Sequence, residues 1–250
     1  MNIDFHVHGI LSKKCKFSKE LLLQSVDVAK ENGLNGFVLC EHFNAKCILE
    51  AYKYLERNFE YVGDKYLIND FSIFLGMEVN VKGGGHVIVC GNRNNILEIR
   101  KVLDKYEKKP NYIPLERLIK LGENYNCLMI GCHPLRKSQS LIQHKDEILS
   151  RLHAIDLNGK DIFQKGELKA KSEITDLSNK LNIPYITGSD SHYPIQLGCV
   201  KTCFKKEFTT INDLIEGIKS RDFTTEISNC LSLKVFTAKV VKDHLKEKMW

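Results

Sequence analysis

Ile3-Asp4-Phe5-His6-Val7-His8 opens the chain with a short apolar run that ends in two imidazoles, two residues apart. Residues 3–7 read as a strand, and residues 18–32 as a helix with Ser18 as N-cap and Gly33 as its stop. The pairing then recurs. Residues 36–40 read as a strand and 48–59 as a helix, followed by strands at 72–79 and 86–90 that flank Gly83-Gly84-Gly85. A helix over 95–106, one opened by Pro114, strands at 127–131 and 154–157, and a helix carrying Leu168, Ile174, Leu177 and Leu181 continue the pattern. Pro184-Tyr185-Ile186-Thr187 follows, and Thr210 with Asp213 forms a capping box. Alternating strands and helices predict an α/β fold with a parallel sheet. With no linker, repeat or low-complexity tract, residues 1–250 read as a single domain whose last element, 231–250, is an amphipathic helix.

Composition limits the function classes. Hydrophobic residues make up 43% and charged residues 27% of the 250, which excludes disordered, collagen-like and coiled-coil chains. The net charge of +6 permits phosphate or nucleic-acid ligands without demanding them. Nine cysteines, an odd count with no CxxC pair, fit a reduced chain, so a cytoplasmic location is expected. No secretory leader is legible at the N-terminus, and no stretch of about 18 apolar residues predicts a membrane span.

The acidic and imidazole side chains carry the chemistry. Apolar runs end in His6 and His8, in Glu41-His42, in Glu78, in His133-Pro134 and in Asp190-Ser191-His192, while His86 begins the strand after the triple glycine. In parallel α/β folds the residues beyond the C-terminal strand ends converge on one face. Side chains two apart on a strand project the same way, so His6 with His8, and Asp190 with His192, can grip one ion. Imidazole and carboxylate donors without convergent thiolates suit zinc, manganese or iron. Five or more histidines and two carboxylates exceed one tetrahedral ion, which predicts two or more metals and hydrolytic attack at phosphorus or a carbonyl. Glu41 is read as structural because its neighbour His42 takes the inward place. His144, His153 and His244 receive no role.

Together, Asp4-Phe5-His6-Val7-His8, Glu41-His42, Gly76-Met77-Glu78, His86, His133-Pro134 and Gly188-Ser189-Asp190-Ser191-His192 resemble the motifs of the PHP (polymerase and histidinol phosphatase) superfamily of metal-dependent phosphoesterases. The resemblance spans residues 2 to about 220. It implies a distorted, TIM-like β/α barrel of seven strands with two or three divalent ions at one mouth. By motif position, His6, His8, Glu78 and Asp190 would hold the first ion, Glu78, His86 and His133 the second, and His42 and His192 the third. Lys14 stands where relatives place a third-site ligand, and an ammonium cannot ligate a cation, so two ions are expected to dominate.

A water bridging the first two ions is then the expected nucleophile, attacking phosphorus in line. Asp190, His192 and Arg136 are the expected catalytic residues, with Arg136 as a fork for phosphate oxygens and Lys160 as a second cation. The leading expectation is a phosphomonoesterase acting on a small metabolite, of the histidinol-phosphatase kind. A nuclease or exonuclease is the alternative, with Lys13, Lys14, Lys16 and Lys205-Lys206 tracking a phosphate backbone. The absence of aromatic platforms among those lysines weighs against it. A regulatory subunit that docks a partner protein or a second copy through its C-terminal helix is the third reading.

Overall fold

The structure is a computed structural model and describes residues 1–248. The expected α/β alternation opens it: β1 (Asn2–Val7), α1 (Lys19–Glu31), β2 (Gly36–His42) and α2 (Ile48–Asn58). A hairpin that the sequence reading missed comes next, β3 (Glu60–Val62) with β4 (Lys65–Ile68), and leads into the long β5 (Phe71–Lys82) and β6 (His86–Cys90). Then follow α3 (Arg93–Leu103), the two-residue β7 (Ile113–Pro114), α4 (Leu115–Asn124), β8 (Leu128–Cys132), α5 (Asp146–Leu149), β9 (Ala154–Asn158), α6 (Gly159–Lys165) and α7 (Glu167–Leu181). The chain closes with β10 (Tyr185–Gly188), β11 (Val200–Phe204), α8 (Ile211–Lys219), β12 (Phe223–Ile227) and α9 (Leu231–Lys248). Met249 and Trp250, the end of the expected last helix, lie outside the described residues.

Local signals hold where the backbone itself is the constraint. The Ser18 hydroxyl accepts from the Leu21 N–H at 3.1 Å, Gly33 takes φ +76°, and both hydrogen bonds of the Thr210/Asp213 capping box are present. Pro114 sits at the N-cap of α4.

The sheet departs from the expected seven-stranded parallel barrel. Nine strands follow one path, β10-β9-β8-β6-β5-β2-β1-β11-β12. Seven of them, β1, β2, β5, β8, β9, β10 and β12, run one way, while β6 and β11 run against them, each antiparallel to both of its neighbours. Periodicity reports that a segment is extended but not its direction, so only pairing reveals the reversal. The reversal follows from the tight turn at Gly83, Gly84 and Gly85, all at φ between +92° and +111°, which returns the chain directly as a hairpin. The result is a mixed α/β fold with a nearly closed, barrel-shaped sheet. β1 and the end of β10 approach across the gap, where the His8 N–H donates to Ser191 O and the Asp190 N–H to His6 O, both at 2.8 Å.

Period-two alternation sorts the core into two clusters. Val38, Cys40, Ile88 and Ile130 point into the barrel, where α8 contributes Leu214 and Ile218; Phe37, Leu39, Val87 and Met129 face the surrounding helices. In β1 a bulge between Asp4 and Val7 breaks this rhythm. Phe5 fills the barrel while Val7 packs outside, so His6 and His8 join the inner side one step out of phase.

The amphipathic reading of α9 divides. Leu231, Val235 and Ala238 are buried, while Leu233, Phe236 and Val240 are exposed. Leu168, expected on the apolar face of α7, is 88% exposed because it falls in the first turn, before the helix meets the sheet. Among the described residues none of the nine cysteines forms a disulfide, and no helix is long and apolar enough to cross a membrane.

The barrel gap leaves no room at Gly188, where a Cβ would collide with the His6 Cβ and sit 2.9 Å from Asp156 Oδ2. Gly188→Ala is expected to destabilise the fold by about 1–3 kcal/mol through overpacking, read as a lower urea midpoint at unchanged m-value.

Candidate metal centre

Glu78 lies on β5 where the strand passes beneath the mouth, and it is 2% exposed. Its Oε1 is 2.5 Å from His86 Nδ1, 3.2 Å from His133 Nε2 and 3.8 Å from His6 Nε2. Its Oε2 is 2.7 Å from His42 Nδ1 and 3.5 Å from His8 Nε2. One carboxylate thus meets five imidazoles carried by four strands or strand ends, β1, β2, β6 and β8. Because β6 runs backwards, its first residue, His86, lies on the same rim as the final residues of β1, β2 and β8. The structure brings together all eight expected ligands: His6, His8, His42, Glu78, His86, His133, Asp190 and His192.

Their donor atoms form overlapping groups. His6, His8 and Asp190, then Glu78, His86 and His133, then His8, His42 and His192 can each present one ligand atom within 4.8 Å of the others. Donor chemistry fits divalent cations. Glu78 Oε2, His8 Nδ1, His42 Nδ1 and His133 Nδ1 are buried without a hydrogen bond, although His42 Nδ1 and Glu78 Oε2 lie only 2.7 Å apart. For His42 Nδ1 and Glu78 Oε2, proximity without hydrogen-bond geometry suits atoms aimed at a shared cation, since a buried lone pair left unpaired is costly. Two of the positions carry strained backbone, with His133 at φ +31° and Asp190 at φ +55°.

A layer of partners the sequence reading did not single out fixes these rings. Asp156, buried in β9, accepts from His6 Nδ1 at 2.8 Å and from the His133 N–H at 2.7 Å. Such carboxylates set the tautomer and leave Nε2 facing the site. The His192 Nδ1–H donates to Ile10 O at 3.0 Å, and its ring stacks on His8 with centroids 4.2 Å apart. Asp4 accepts from the His6 and Ser189 N–H groups, tying β1 to β10. Its charge in an otherwise apolar strand was the one available signal. Glu41 points away from His42, as expected, and caps the Gly9 N–H, with Oε2 3.6 Å from His8 Nδ1.

Burial and neighbouring charge pull the site in opposite directions. Burial raises Glu78 and Asp190, but His86 and His42 around the first, and Lys160, His192, His6 and Arg136 around the second, hold both carboxyls well below their usual range. Burial and Lys160 press His192 down to about 3, so its imidazole is neutral. At His6 burial is outweighed by Asp156, Asp190 and Glu78, and its pKa rises to about 9. Cys132 Sγ also comes within 4.8 Å of donor atoms of His6 and Glu78, a thiol the sequence reading did not place here. Burial raises its pKa well above the ordinary value.

Arg136 reaches the mouth, but its fork is engaged: Nε donates to Asp161 Oδ1 at 2.9 Å, Nη1 to Asp190 Oδ2 at 3.0 Å and Nη2 to Asn158 Oδ1 at 2.8 Å. Lys160 Nζ contacts Asp190 Oδ1 at 2.8 Å. In the loop after His8 the inward lysine is Lys13, not the expected Lys14. Lys13 Nζ is 3.3 Å from Asn80 Oδ1, whose Nδ2 meets His86 Nε2 at 2.6 Å, whereas Lys14 is exposed. Loop registers of one residue are not fixed by any periodicity. Lys205 and Lys206 lie at the opposite end of the barrel, beside the Met1 amino group.

A PHP-associated family model matches residues 171–223, the segment that carries Asp190 and His192. Comparison with curated protein sequences finds no match. Among solved structures, PsfC from Pseudomonas syringae PB-5123 superposes with a TM-score of 0.80 at 22% identity, over 98% of both chains. The lesion-specific endonuclease PfuEndoQ from Pyrococcus furiosus superposes with a TM-score of 0.63 at 19% identity, and the match covers 90% of this chain but 57% of that one. Endonuclease Q in complex with a 27-mer duplex bearing an abasic lesion gives 0.64 at 17% identity, over 90% and 58%. The motif order along the chain and the matched C-terminal segment make the chain similar to the PHP superfamily, and the solved structures share its fold.

Proposed function

We propose that the protein is a metal-dependent phosphoester hydrolase acting on a small phosphomonoester. One observation carries the reading: eight buried or half-buried imidazole and carboxylate groups, Glu78 at their centre, gather at one end of the barrel in overlapping ligand-sized groups. In this reading His6, His8, Glu78 and Asp190 hold one divalent ion, and Glu78, His86 and His133 a second, of zinc, manganese or iron. Such ions supply Lewis-acid stabilisation of phosphoryl oxygens and a water that is nucleophilic near neutral pH.

The chain's own groups position these donors. Asp156 presents Nε2 of His6, Ile10 O presents Nε2 of His192, and Arg136 with Lys160 clamps both oxygens of Asp190. A neutral His192 offers a lone pair and no proton, so it acts as a ligand or acceptor and not as a general acid. Arg136 is best assigned to holding Asp190, because three of its donors are already committed. Lys160 is 28% exposed at its side chain and faces the mouth, which makes it the better phosphate partner.

Nuclease activity is the second reading, supported by the fold shared with the lesion-specific endonuclease and its DNA complex. The positions of Lys205 and Lys206, at the far end of the barrel, remove them from any strand bound at this mouth.

Chelation is expected to abolish hydrolysis of phosphomonoesters, and zinc, manganese or iron to restore it. His6→Ala and Asp190→Ala should each lower kcat by more than the 10–100-fold typical of outer partners, and Arg136→Lys by about that range with weaker metal retention. Activity that survives chelator and both alanine substitutions would refute the reading.

Ion count should follow Lys13. Its ammonium beside Asn80 and near Glu78 opposes a third cation, so plasma emission analysis of reconstituted protein should give about two ions per chain. Lys13→His should raise that number, and three ions in the unaltered protein would exclude the assignment.

Proton linkage gives a further check. His6 has its pKa raised from 6.5 to about 9, so in chelator-treated protein it contributes stability that is fully present below pH 6.5 and lost as pH rises through 9. Metal must displace that proton, so metal affinity should increase over the same window. Asp156→Asn should move the His6 titration, followed by imidazole NMR, towards lower pH.

A further inference from the structure

We infer that a cavity walled by α9 receives the leaving group of an organic phosphate monoester that carries a second anionic group, met by Lys239 and Lys242. The inference rests on the phosphoesterase reading above and specifies its substrate class. The cavity has a volume of about 310 Å³ and opens onto His192 and Lys160. Since Lys160 Nζ is 2.8 Å from Asp190 Oδ1, one end of the cavity adjoins the donor cluster. A phosphoryl group at that cluster therefore has its ester substituent directed along this cavity.

The walls define what fits. Phe163 of α6 and Tyr193 after β10 are half-buried and offer aromatic surface for a compact body. From α9 come Val235, Ala238, Lys239 and Lys242, spaced i, i+3, i+4 and i+7 and hence on one face of the helix. That face is apolar at its start and cationic beyond. Around the cavity three ammonium groups stand against one carboxylate, Asp243. Lys160 is placed for the phosphoryl group, and Lys239 and Lys242 line the cavity farther along α9, where a second anion of the same ligand would lie. A volume near the lower end of small-molecule sites suits one compact organic group and not stacked nucleotides.

The test compares two esters that share one ring, phenyl phosphate and 4-carboxyphenyl phosphate, on full-length protein reconstituted with manganese. The carboxylated ester should have a kcat/KM at least about tenfold higher, the worth of one charge-assisted hydrogen bond. Lys239→Glu should bring the ratio towards one, and Asp243→Lys, equally on the surface, should increase it. Equal use of the two esters by the unaltered protein, or a ratio indifferent to both variants, overturns the inference and leaves the hydrolase reading intact. If neither ester is hydrolysed, the hydrolase reading fails. Calorimetric titration of 4-hydroxybenzoate into chelator-treated protein then decides the cavity: saturable binding weakened about tenfold by Lys239→Glu sustains its anion preference, and no saturable binding overturns it.

Discussion

The structure is organised around one buried carboxylate. Glu78, surrounded by five imidazoles and nearly inaccessible to water, is a charge that an apolar barrel could not otherwise hold. Each surrounding ring needs its own support, because an imidazole left free to rotate loses both its tautomer and its aim. The supports extend outward: Asp156 behind His6, Asn80 beside His86, Ile10 O behind His192, Arg136 and Lys160 on Asp190. Much of the polar structure at this end of the barrel follows from keeping that arrangement fixed.

Two backbone irregularities make the convergence possible. The reversed β6 delivers a histidine from the beginning of a strand to a rim otherwise built from strand ends. The β1 bulge lets Phe5 fill the barrel while the next residue, His6, faces the mouth. A regular parallel barrel would place neither side chain where it is. The same rim carries positive φ at His133 and Asp190, so local strain concentrates where the ligands lie and the packed sheet beneath supports it.

The C-terminal helix joins fold to specificity. Val235 and Ala238 dock it beside α6 and the turn after β10, and that docking carries its lysines to the edge of the mouth. The opposite face of α9, with Leu233, Phe236 and Val240, stays exposed.

How much of this was legible in the sequence depends on the range of the interaction concerned. Strand and helix alternation, the Ser18 and Thr210 caps, and the placement of chemistry-bearing residues at the ends of apolar runs are local properties, readable because each depends on neighbours a few residues away. So was the resemblance to the PHP superfamily, since its motifs keep their order along the chain. Direction and closure were not legible: nothing within residues 86–90 states that the strand runs against its neighbours, and the nine-strand path exists only once pairing is made. The inward choice of Lys13 over Lys14, the engagement of Arg136 by Asp161, Asp190 and Asn158, and the role of Asp156 were equally hidden. Each depends on contacts between residues 22 to 150 positions apart, and only tertiary packing sets such distances.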